Sequence, residues 1–160
     1  MRNEFGKKLP LWNELPTFDI YLDQLLDITN DYVSPVTGEL LTKTMMHNYT
    51  KAQVIVRPKN KRYSRIHLAG AIIVSLLKSV FSLDAIKKGF QIELNHGPSE
   101  DVYNRFIEMF NQVSSQNDLS EALNKLPEID SKAAIIQYEA IMAVVFRLKA
   151  LSTMEKIVKK

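Results

Sequence analysis

Apolar residues recur at helical spacing along most of the chain, and polar breaks divide them into separate elements. Phe18, Tyr21, Leu22, Leu25, Leu26, Tyr32 and Val33 predict an amphipathic helix starting at Thr17, a good N-cap, with Asp19 in its first turn. Residues 34–40, interrupted by Pro35 and Gly38, read as a loop. Thr42 then caps a short helix that docks through Met45, Met46 and Tyr49. Residues 54–56 and 61–63, on either side of Arg57, Pro58, Lys59 and Asn60, predict a small β-hairpin with a basic tip. Ser64 caps an apolar helix to about Val80, and Ser82 caps a short one ending near Gly89.

The C-terminal half continues in helices. After a break at residues 95–98, Ser99 caps a helix with the core stripe Val102, Phe106, Met109, Phe110 and Val113. A second break at residues 114–117 precedes a short turn of helix around residues 119–123, stopped by Pro127. Asp130 or Ser131 caps a long last helix, with Ala134, Tyr138, Ile141, Val145 and Leu148 as a coiled-coil-like seam of about two heptads. Ile135, Met142 and Phe146 make a second stripe, so one face suits the chain's own core and the other a second copy. Leu9 to Pro16 is a proline-bracketed segment whose Leu11, Trp12 and Leu15 cover part of the core.

Charge changes this picture more than composition does. The net charge is only +3, but it is segregated. From Leu40 through Leu83 there is no acid, while Lys43, Lys51, Arg57, Lys59, Lys61, Arg62, Arg65 and Lys78 all fall there. Before it the balance reverses, with Asp19, Asp23, Asp27 and Asp31 at steps of four along one helix stripe. Like charges at that spacing repel, and such a stripe cannot lie on a phosphate backbone. The domain therefore has one permitted docking orientation. A basic segment with the acids kept off it is the expected footprint of a nucleic-acid partner.

Other chemistry is scarce. Cysteine is absent, which removes disulfides, thiolate metal sites and a cysteine nucleophile, and fits a reducing, cytoplasmic setting. The polar N-terminus lacks the apolar stretch of a secretion signal, and the apolar run at residues 68–77 is too short to cross a bilayer. No phosphate-binding glycine loop, nucleophile elbow or paired His-Glu helix motif is present, so no enzymatic activity and no cofactor are expected. Glu93, His96, Glu100 and Asp101 are the one mixed cluster, and a capped helix start explains them better than a metal does.

The order helix, turn, helix, basic hairpin, helix is that of a winged helix-turn-helix. The helix at residues 42–51 would enter the major groove, with Lys43, Thr44, His47 and Asn48 as base readers. Lys51 and, on the wing at residues 56–63, Arg57, Lys59, Lys61 and Arg62 would hold phosphates. Thr42, Tyr49, Val54, Ile55, Pro58, Arg62, Tyr63, Ser64, Leu68, Phe81, Ser82, Leu83 and Ile86 carry a resemblance. Residues 42–90 resemble the DNA-binding head of the MerR family of bacterial transcription regulators. The resemblance implies that His47 takes the place of a DNA-contacting arginine and that Tyr49, Arg62 and Tyr63 anchor phosphate contacts. Asn48 stands in place of that family's first tyrosine, and Gln53 in place of the glycine that ends its recognition helix.

Over nearly its full length the chain is similar to an uncharacterised family of Firmicute-type bacterial proteins, a domain of unknown function with a MerR-like helix-turn-helix. The fold expected is mainly α, a MerR-like winged helix-turn-helix with a small β-hairpin wing plus a C-terminal helical region. Residues 1–16 form an N-terminal segment, 17–92 the helix-turn-helix domain, and 98–160 the C-terminal helical region that would form a homodimer. The function expected is transcription regulation through duplex DNA. The alternative is a protein-interaction adaptor using the same basic face for an acidic partner. A small-molecule effector site in the C-terminal helices is compatible with the first.

Overall fold

In the computed structural model, which describes residues 7–115 and 131–159, the apolar run predicted as a helix stands at the centre. A 3-10 turn (Trp12–Glu14) leads to α1 (Leu22–Thr37), α2 (Lys43–Lys51), α3 (Arg65–Leu77), α4 (Leu83–His96), α5 (Ser99–Ser114) and α6 (Lys132–Val158). All of residues 71–77 in α3 are buried. A helix apolar all round needs neighbours all round, and α3 packs against both α1 and α6. In turn α6 packs on α4 and α5, and α1 on α2. The buried side chains form one core from Leu9 to Leu148. Gly70 lies within α3 where Ile55 seats against it: a Cβ there would stand 3.3 Å from Ile55 Cγ1.

The predicted caps at Thr42, Ser82 and Ser131 form, each side chain accepting the N–H three residues on, from Met45, Ala85 and Ala134. Four boundaries differ from expectation. Ser99 does not cap α5 but is its first residue, with Pro98 at the cap position. Thr17 does not start α1, because the chain bends at residues 17–18, Ile20 bridges to Tyr63, and Gln24 Oε1 accepts the Tyr21 N–H, 2.9 Å away, to cap the helix there. Pro35 does not break α1. It lies in the last turn, and the helix ends only at Gly38, whose φ of 74° suits glycine. Gly89 does not end α4, which continues to His96. The expected turn at residues 119–123 and the stop at Pro127 lie outside the described residues.

The larger correction concerns the wing. No β-strand forms among the described residues, so the chain is mainly α but carries no β-hairpin wing. The first flank has two of its N–H groups committed elsewhere. The N–H groups of Val54 and Ile55 bond back to Tyr49 O, and Pro58 has no N–H. The second flank finds another partner, since Tyr63 exchanges both its backbone bonds with Ile20, each at 2.8 Å. What remains is a tight turn closed by Arg62 N–H to Lys59 O at 2.9 Å, with isolated bridges at Lys59–Arg62 and Ile20–Tyr63.

The N-terminal segment straps the molecule. Leu9 exchanges two hydrogen bonds with the Asn111 side chain, Trp12 N–H donates to Asn104 Oδ1, and Tyr103 Oη donates to Pro10 O at 2.7 Å. Further along, the Arg65 guanidinium caps the carbonyls of Leu15 and Pro16. The strap thus joins α5 to the start of α3 and then to the basic turn.

Candidate nucleic-acid interface

Helix α2 divides cleanly into two faces. Met46, Tyr49 and Thr50 are buried, whereas Lys43, Thr44, His47, Asn48 and Lys51 are exposed. The helix is held to α1 by Asn30, whose side-chain amide accepts Leu41 N–H at 2.7 Å and donates to Leu41 O at 3.0 Å. Its C-terminus closes as a Schellman motif. Val54 N–H reaches Tyr49 O and Gln53 N–H reaches Thr50 O, at 3.0 and 3.1 Å. Gln53 holds the left-handed position with φ 61°, so the glycine geometry of the resembled family is kept without the glycine.

The basic turn follows. Asn60 and Lys61 both have positive φ, 53° and 59°, which is the pattern of a type I′ turn. Arg57, Lys59, Lys61 and Arg62 are exposed around it. The turn is fixed from beneath by His67. Ser64 N–H donates to Nδ1 at 2.9 Å, so the proton sits on Nε2, which faces Arg57 O at 3.3 Å. The imidazole also stands edge-on to Tyr63, 5.4 Å between centroids. Arg62 lies over the Tyr21 ring at 5.8 Å.

These two groups of residues meet. Lys43 and His47 of α2, Lys61 and Pro58 of the turn, and Tyr21 and Asp23 of the α1 start line one hollow of about 450 Å³, with Tyr63 beneath. No ion pair within 4.0 Å engages Lys43, Lys51, Arg57, Lys59, Lys61 or Arg62. Among the described residues these six exposed cations thus make no ion pair, although Asp23 shares the hollow with Lys43 and Lys61. The other two cations of the acid-free segment have structural work. Arg65 holds the strap, and Lys78 is part-buried with Nζ 3.7 Å from Met45 Sδ. Burial lowers the Lys78 pKa, opposed by Glu39.

Tyr49 and Tyr63 are core residues, each 4% exposed. Burial pushes the Tyr49 hydroxyl up to about 12, with Glu39 adding to the effect, and burial raises Tyr63 as well. Tyr49 thus shapes the site by packing, and only Tyr63 reaches the hollow. Ile20, Tyr21 and His67 support the turn, a role that the sequence pattern does not give them. His67 alone left a trace there, three residues after the Ser64 cap, where a side chain reaches back to the cap N–H.

The acids are placed less simply than their spacing implies. Asp19 precedes α1, so the stripe on the helix is Asp23, Asp27 and Asp31, all exposed. Asp23 lies at the edge of the basic hollow. Glu93, His96, Glu100 and Asp101 do not converge. Glu93 is buried against Arg105, and His96 Nδ1 bonds its own helix at Ile92 O. No group of metal-ligating side chains occurs among the described residues, and no helix there is long and apolar enough to cross a membrane.

No curated protein and no solved structure matches the chain. A family model matches residues 10–111, which span the strap, α1 to α4 and most of α5. That match takes in the whole basic face and well over half of the sequence, and the chain belongs to the family described as "Domain of unknown function (DUF1836)".

Proposed function

We propose that the protein is a DNA-binding transcription regulator that presents α2 to the major groove and sets the basic turn on the flanking phosphates. The observation carrying this reading is the shared hollow: Lys43 and His47 from α2 and Lys61 from the turn line one surface, none of them in an ion pair, with Asp23 the one acid on the lining. Fixed cations without partners bind phosphate strongly, because contact releases the counter-ions condensed on the duplex. On the exposed face of α2, Asn48 is suited to adenine and Thr44 and His47 to other base edges. The resemblance of residues 42–90 to the MerR-type head supports the same reading, here with a turn in place of a wing. A homodimer belongs to this proposal. The distal part of α6 exposes Leu151, Met154 and Ile157 at steps of three, an apolar stripe suited to the same helix of a second copy.

Selection of bound sequences from a random duplex library tests the reading. A recovered motif is expected, and Asn48→Ala should relax it at one base position. Recovery of no motif at low salt sinks the regulator and leaves an acidic protein partner as the use of this face.

A further inference from the structure

A second site lies away from the basic face and does not depend on it. Side chains of α3, α4, α5 and α6 line a half-open cavity of about 290 Å³, walled by Ile73, Leu77, Ile86, Phe90 and Phe106 among others. That is close to the lower end of the size range for small-molecule sites, which are apolar with a few fixed polar groups. Here the fixed group is Glu93, 4% exposed. Its Oε2 accepts from Arg105 Nη2 at 2.7 Å, whereas its Oε1 is buried with no hydrogen-bond partner. Arg105 is in turn held by Gln137, which lines the same cavity and is itself fixed by Val102 O at 3.0 Å.

A buried carboxylate oxygen without a donor is costly, and native proteins rarely leave one unmatched. The rigid Arg105–Gln137 support means that Glu93 cannot turn to find another partner without losing its ion pair. We propose that the cavity binds a small, mostly apolar molecule whose hydrogen-bond donor, a hydroxyl or an ammonium, meets Glu93 Oε1. An anionic head is excluded by Glu93 and by Glu139, also on the lining. Gly89 on the wall has open space where a Cβ would project, so a larger side chain there would occupy the ligand's volume.

The test is methyl NMR of the full chain titrated with 1-hexanol, n-hexylamine and hexanoate, which share one tail. Saturable shifts are expected at Ile73, Leu77 and Ile86 with the alcohol or the amine, and at least about tenfold weaker binding of hexanoate. Whichever of the two donors binds more tightly identifies the head group. Gly89→Leu, and independently Ala140→Ile from α6, should weaken the binding by at least about tenfold while the melting transition stays cooperative. Glu93→Gln should narrow the gap between amine and hexanoate. The proposal is overturned if neither alcohol nor amine gives saturable shifts, if hexanoate binds as well as they do, or if a folded filling variant binds unchanged.

Discussion

Gln53 and Lys61 both hold left-handed backbone, and their side chains lead to opposite expectations. A non-glycine residue there costs about 1–2 kcal/mol, part of which glycine gives back through its freedom in the unfolded chain. At Gln53 the conformation closes α2, and the side chain makes only a long contact to Lys87 at 3.5 Å. Gln53→Gly should therefore raise stability by about 0.5–1 kcal/mol, a melting shift of roughly 1–4 °C, with DNA affinity unchanged. Lys61 holds the same geometry at the tip of the turn, beside Lys43 and His47. Lys61→Gly should raise the melting temperature similarly, yet weaken DNA binding severalfold by removing a phosphate contact. Calorimetry and mobility shifts on the two variants separate these effects. Equal affinities would remove Lys61 from the site.

Among the elements, those set by local chemistry were legible in the sequence and those set by distant pairing were not. Thr42, Ser82 and Ser131 begin their helices as their side chains predict, because a cap involves only the next three residues. The start of α1 and the loss of the wing's second flank share one cause, the pairing of Ile20 with Tyr63 across 43 positions of sequence (63 − 20), which no local pattern encodes. The exposed face of α2 was legible from its periodicity, which also puts Tyr49 on the docking side, whereas Tyr63 is buried where it pairs with Ile20. The same rearrangement moves Asp19 off α1 and leaves Asp23 at the rim of the hollow. A phosphate nearby feels Asp23 as a like charge, worth about 0.5 kcal/mol at several ångströms in a watery setting. Asp23→Asn should tighten DNA binding about two- to threefold at low salt, and the gain should shrink as salt rises. Unchanged or weaker binding would place Asp23 outside the interface.

For the whole molecule, one core joins the basic face to the C-terminal helices, and the strap runs between them from α5 to the turn. Pairing of two copies would bring two α2 helices to one duplex. Replacing Leu151 and Ile157 with lysine should then shift light scattering from dimer to monomer and weaken DNA binding together, whereas a wild-type monomer at high concentration would remove the dimer. The central claim is that the cations around α2 and the turn meet phosphate. Its most direct test is the salt dependence of duplex binding for the wild type and for Lys59→Ala/Lys61→Ala. The wild type should lose affinity steeply as salt rises, and the double variant should flatten the log–log slope by about 2, close to one for each lost phosphate contact. A wild type whose duplex binding is absent or indifferent to salt, or a variant with the same slope, would contradict it.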